Sequence, residues 1–272
     1  MINTIETKEE QLAIGYYKIG TGNTKILILG SCRSVAYITY FKDLNKDNKY
    51  SIYFIDPMNW CWDMQGNRVN YEERLSDCED NTNILELLKI IDIFIHEHYV
   101  NAGMFNVSKF SNKNIYQFGL NPKIDIELPN FNDIFLLTKD IVSFDMDVRK
   151  QVIQDYNVNG ELSKQTIEKI EKIKATNLQK FFDICAKTSF PEFAEVFANE
   201  YKEVRYFWTF NHVSARFTQT LFRMMCEKYL GIDLKDYNLT NKDLFANNYT
   251  YLSDYDSEYN LNESKKTLKE ML

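Results

Sequence analysis

The chain has 272 residues, 44% of them hydrophobic and 15% aromatic, enough to bury a sizeable core, with a formal charge of -7 from 32 basic and 39 acidic side chains. That balance argues against nonspecific attraction to nucleic acid or to an anionic membrane surface, and no run of about 18 apolar residues offers a transmembrane span. The opening residues Met1 to Glu10 combine no basic start with an apolar stretch, so no secretory signal is read there and a cytoplasmic protein is expected.

The first apolar run, Lys25 to Leu29, stops at Gly30, and Ser34 to Leu44 then reads as a helix. Ser51 to Ile55 is a second β-rich run that ends at Asp56 and Pro57, where proline forbids simple continuation. A helix over Asn83 to Lys89 leads to a third run, Ile90 to Ile95, closed by His96, Glu97 and His98. Asn114 to Phe118 is a fourth, ending near Asn121 and Pro122. Short apolar runs alternating with helices predict an α/β fold, a mainly parallel sheet of about five strands flanked by helices.

From about Ser143 to residue 203 the pattern is helical. Ser163 reads as the N-cap of a helix reaching Thr188, with Ile167, Ile170, Ile173, Leu178 and Phe181 as its apolar stripe. Ser189 to Glu192 resembles a capping box opening a helix that buries Phe193, Val196 and Phe197. Val204 to Phe210 is β-prone and ends at Asn211 and His212. Val213 to Leu230 is helical, with Phe217, Leu221, Met224 and Met225 inward and Gly231 as the stop. Residues 232–272 look loosely ordered, and the whole chain, 1–272, reads as one domain with a helical elaboration over about 143–203.

Catalytic groups in an open parallel sheet collect beyond the carboxyl ends of the strands. The strand ends read above carry Cys32, Asp56, His96, Glu97, His98, Asn121, Asn211 and His212. Cys32 falls where the first turn of a helix is expected, and N–H groups there favour the thiolate. A Cys32–His212 pair would support covalent acyl transfer, the imidazole drawing off the thiol proton and later serving the leaving group. Backbone N–H groups from Ser31 to Arg33, with the Asn101 amide, are candidate oxyanion donors. Arg33 could hold a phosphate or carboxylate at the same helix end.

The five cysteines are odd in number, widely spaced and without a CxxC pair, which suits reduced thiols, and Cys61, Cys78, Cys185 and Cys226 are read as structural. His96 and His98 would face one side of a strand without a third ligand, so no metal is expected and these side chains are read as pocket-lining. Trp60 and Trp62 are read as core aromatics, with a stacking platform as the alternative.

Gly30-Ser31-Cys32-Arg33, together with Phe207 to His212 opening a helix, resembles the WcbI-type polysaccharide biosynthesis proteins. These carry an early Gly-Asn-Cys-Gln signature and a late Asn-His-Pro element, and Ile126 to Phe131 is similar to their proline-containing middle element. The match runs in order across roughly residues 25–232. A more distant likeness is to the SGNH (GDSL-type) hydrolases, in which serine stands in the place of Cys32. The resemblance implies an SGNH-like fold, binding of coenzyme A or acyl-CoA, and acyl transfer in capsule or surface polysaccharide synthesis, with Cys32 and His212 as the matching pair. Ser31, Arg33 and Val213 replace the family's asparagine, glutamine and proline, and Thr209 stands where SGNH enzymes carry the aspartate that orients the histidine. An orienting acid would therefore come from Glu97 or Asp56.

The expected activity is an acyltransferase moving an acyl group from a coenzyme A thioester to a hydroxyl of a glycan or sugar precursor. A thiol-dependent esterase or thioesterase and a non-catalytic ligand-binding protein are the alternatives.

Overall fold

In a computed structural model of the protein, the residues described are 9–13, 16–31, 33–55, 89–98, 121–129, 146–201, 203–204, 206–207, 213–235 and 237–239. The elements are β1 (Glu9–Ala13), β2 (Tyr16–Ile19), β3 (Thr24–Leu29), α1 (Val35–Leu44), β4 (Tyr50–Ile55), β5 (Ile93–Glu97), β6 (Ile124–Leu128), α2 (Met146–Asn159), α3 (Lys164–Lys187), α4 (Phe193–Glu200) and α5 (Ala215–Met225). Helix α5 continues into a π-helical turn, Cys226–Leu230.

The fold is α/β, and its sheet is mixed but mostly parallel. Among the described residues it has six strands in the order β1-β2-β4-β3-β5-β6. The run β4-β3-β5-β6 is parallel, whereas β1 and β2 form an antiparallel pair and β2 runs antiparallel to β4. Ile26, Leu27, Ile28 and Leu29 are all buried, so β3 is covered on both faces, which is why it reads as an unbroken apolar run. The predicted strand over Ile90–Ile95 moves toward the carboxyl end: Ile90 is 52% exposed, and β5 takes in His96 and Glu97. Its amino end is fixed by Asp92, whose Oδ2 accepts from Lys25 N–H at 2.9 Å. Asn121 precedes β6, so it belongs to the amino-end edge of the sheet and not to the carboxyl-end rim. The predicted strand at Asn114–Phe118 and helix at Asn83–Lys89 lie outside the described residues, apart from Lys89.

By contacts between Cα atoms the chain divides into two compact units, Met1–Asn130 with Phe222–Asn241, and Phe131–Leu221 with Lys242–Leu272. In the first unit, Phe222 packs against Tyr37, Tyr40 and Phe41 of α1, with ring centroids 6.0, 5.1 and 5.0 Å away. The C-terminal stop works as expected, since Gly231 takes a left-handed φ of 64° that favours glycine. Arg223 then ties the following segment back by donating to the carbonyls of Leu234 and Tyr237.

The second unit has an aromatic core of Phe181, Phe193, Phe197, Tyr206, Phe207 and Phe217. Helix α3 begins as predicted, with the Ser163 hydroxyl accepting from Thr166 N–H. Its buried stripe is Thr166, Ile170, Asn177, Phe181, Ile184 and Cys185, and Ile167 is exposed. Spacings of three, four and seven keep those positions on one line, and Ile167 falls beside it. The helix read from Ser189–Glu192 begins at Phe193, after a turn at Pro191 and Glu192, with Glu192 in the N-cap position and no side-chain capping bond there. Val204–Phe210 is not a sheet strand in its described residues, where Phe207 makes an isolated antiparallel bridge to Val213. Residues from 240 onward lie outside the described set.

Candidate functional site

The parallel strands β3 and β5 end side by side, with Leu29 opposite His96, and the turn from β3 into α1 starts at Gly30. Ser31 and Ser34, both buried, are gathered there by the Glu97 carboxylate, itself only 3% exposed. Ser31 N–H donates to Glu97 Oε1 at 2.8 Å, the Ser31 hydroxyl lies 3.0 Å from each carboxylate oxygen, and the Ser34 hydroxyl donates to Oε1 at 2.5 Å. Ser31 Oγ accepts in turn from Arg33 Nε at 3.2 Å. A buried carboxylate is costly unless such donors surround it, so the cluster ties the end of β5 to the turn.

Gly30 is required for this closeness. A Cβ at that position would come within 2.5 Å of the Ser34 side chain and 3.0 Å of Glu97 Oε1. The Tyr37 hydroxyl feels the same charge: burial, Tyr40 and Glu97 together push its pKa well above the ordinary tyrosine value.

The opposite face of β5 carries two histidine–carboxylate pairs reaching β6. His96 Nε2 lies 3.0 Å from Asp125 Oδ1, and His98 Nδ1 lies 2.6 Å from Glu127 Oε1. An ionised carboxylate only accepts, so the ring nitrogen facing it carries the proton: Nε2 in His96 and Nδ1 in His98. His96 is buried, stacked on Phe94 with centroids 4.7 Å apart, and its Nδ1 meets no hydrogen-bond partner among the described residues. His98 follows the last residue of β5, keeps the ladder by donating its N–H to Leu128 O at 2.7 Å, and leaves its side chain 24% exposed.

Five sequence-predicted site residues are thus placed: Ser31, Arg33 and Glu97 in one cluster, and His96 and His98 on the other face of the same strand. Cys32, Asp56, Asn101, Asn211 and His212 lie outside the described residues. Three residues were missed by sequence reasoning. Ser34 was taken only as a helix start, and Asp125 and Glu127 carried a legible signal, two acids at strand spacing that match His96 and His98. Cys185 and Cys226 are buried, and burial raises both thiol pKa values, that of Cys226 to about 12.

Among the described residues no cluster of three or more histidine, cysteine or acidic side chains could hold a metal ion, and no helix is long and apolar enough to cross a membrane. No protein-family model, curated protein or solved structure matches this chain.

Proposed function

We propose that the protein is an acyltransferase that uses Cys32 to accept an acyl group from a coenzyme A thioester and pass it to a hydroxyl of a glycan or sugar precursor. The observation that carries this reading is the Glu97 cluster, which fixes Ser31 and Ser34, the residues on either side of Cys32 and Arg33 in the chain. A carboxylate buried to hold two hydroxyls and one amide at the carboxyl end of a parallel strand is an expensive device for a loop without chemistry. The likeness of Gly30 to Arg33 and Phe207 to His212 to the WcbI-type signatures supports the acyl donor and an SGNH-like architecture.

In the proposed reaction the Cys32 thiol gives its proton to His212, the base by resemblance. The thiolate attacks the thioester carbonyl, and a Cys32–acyl bond forms as the carbon–sulfur bond to coenzyme A breaks. The protonated imidazole returns its proton to the departing thiolate. Ser31 N–H is spent on Glu97 and Arg33 N–H donates to Ser31 Oγ at 3.4 Å, so neither is the oxyanion donor expected from the sequence, and Arg33 supplies positive charge toward the anionic donor. Glu97 is committed to Ser31 and Ser34, so its part is to hold the turn in shape.

The test is incubation with acetyl-CoA followed by intact-mass and peptide mass spectrometry, beside calorimetric titration with coenzyme A. Binding and an acetyl adduct on Cys32, lost in Cys32→Ala and slowed in His212→Ala, are expected. Hydrolysis of simple esters without coenzyme A binding would favour the thiol esterase, and neither binding nor adduct would leave a ligand-binding role.

A further inference from the structure

We infer that residues 232–239 form a strap that opens and closes as a unit against the body carrying the sheet, with the Arg223 guanidinium as its clasp. Helix α5 ends in the π-helical turn Cys226–Leu230, and Gly231, at a φ of 64°, turns the chain back. The Cys226 carbonyl accepts from the N–H groups of both Gly231 and Ile232, which seals that corner. The strap that follows lies outside helix and sheet in its described residues. It folds into a turn in which Tyr237 N–H donates to Leu234 O at 3.1 Å.

Arg223 holds this turn from within the helix. Its Nη1 donates to the Leu234 carbonyl, and its Nη2 donates to that of Tyr237 at 2.7 Å. Leu234 and Tyr237 are the first and last residues of the turn, so one planar group grips both ends at once, which the single point charge of a lysine does less well. Leu234 and Leu239 are buried on the body, whereas Tyr237 stays exposed. The strap is thus attached by two leucines and by one side chain that can let go.

The neighbour of Arg223 shows why release is local. Phe222, about 100° further round the helix, packs against Tyr37, Tyr40 and Phe41 of α1. Helix α5 is therefore anchored on α1 by one side chain, and the strap is anchored on α5 by the next. Freeing Arg223 breaks none of the Phe222 ring contacts, so the strap can leave while the packing of α5 on α1 persists, a sub-global opening. The compact unit that holds the strap ends at Asn241, so the clasp sets how firmly the chain is held where it leaves that unit. This device stands apart from the acyltransfer chemistry.

The test is hydrogen exchange of the full-length protein, read by mass spectrometry on peptides covering 232–239, α1 and β3, over a series of sub-denaturing urea concentrations. In the wild type the strap amides should exchange through an opening that urea hardly changes, and those of α1 and β3 through a urea-sensitive one. Arg223→Ala should speed exchange in 232–239 by about 10-fold or more and leave α1 and β3 unchanged, with Arg223→Lys between it and the wild type. Strap amides that open only together with α1 and β3 in the wild type would overturn the inference. So would an Arg223→Ala protein whose strap is unchanged, or one whose α1 and β3 lose protection to the same extent as the strap.

Discussion

Replacing Glu97 by glutamine keeps the side-chain shape and removes the charge on which the β3–α1 turn is organised. Three donors face the carboxylate, the Ser31 amide at 2.8 Å, the Ser31 hydroxyl at 3.0 Å and the Ser34 hydroxyl at 2.5 Å. Hydrogen bonds to a charged acceptor contribute about 1.5–3 kcal/mol, against about 0.5–1.5 kcal/mol for neutral pairs, so each donor loses about 1 kcal/mol in Glu97→Gln. One amide N–H also replaces an acceptor, and the relief of burying an ion offsets part of the loss. A net destabilisation of about 2–3 kcal/mol follows, a fall in melting temperature of about 5–10 °C for a chain of this size. A double-mutant cycle of Glu97→Gln with Ser34→Ala, measured by urea denaturation, should return a coupling above about 1 kcal/mol, because both substitutions remove the same bond. Strict additivity within about 0.5 kcal/mol would refute the cluster as the organiser of the turn.

Gly30→Ala forces a Cβ to 2.5 Å from the Ser34 side chain, so it should cost about 1–3 kcal/mol by denaturant titration, and an unchanged midpoint would contradict the close approach. Phe222→Ala empties the space between Tyr37, Tyr40 and Phe41 and should cost about 3–5 kcal/mol in the same measurement. Glu200 is held below its ordinary carboxylate value by hydrogen bonds from Arg216 and then Tyr206, and Asp92 by Lys123 and then the Lys25 amide. A lowered folded-state pKa gives stability that is complete above the ordinary range and lost as pH falls through the folded value, so the denaturation midpoint should drop below about pH 4, less steeply in Glu200→Gln. Burial, then Glu200, raises Tyr206 to about 12, so its contribution persists below pH 10.0 and fades as pH rises toward that value. Iodoacetamide added to the native protein should leave Cys185 and Cys226 unmodified by peptide mass spectrometry, since both are buried and their thiols raised.

What could be read from residues alone follows from which forces act locally. Strands β3 and β4 were legible because burial on both faces leaves an apolar run that no helix of that length would need, and the α3 N-cap because Ser163 satisfies a donor three residues away. Strand β5 was placed short because His96 and Glu97 look like loop residues in sequence. They are strand residues only because Asp125 and two serine hydroxyls, 29 and more positions away, satisfy them. The β1–β2 pair and β6 were passed over for a related reason: charged residues break the apolar pattern of Glu9–Ala13 and Ile124–Leu128, and pairing with a neighbouring strand makes them strands all the same.

The same non-local pairing divides the candidate site into its two faces. Alternation along β5 sends Glu97 toward the hydroxyls of the β3–α1 turn and sends His96 and His98 toward β6, where Asp125 and Glu127 repeat their spacing. A slip of one residue between β5 and β6 would set Ile124, Ile126 and Leu128 against the histidines and leave both acids on the Glu97 face, burying like charge against like. The polar ladder therefore fixes the register of the β5–β6 pair, and that register is what delivers one carboxylate to the β3–α1 turn and the His98 imidazole to the Glu127 side of the strand.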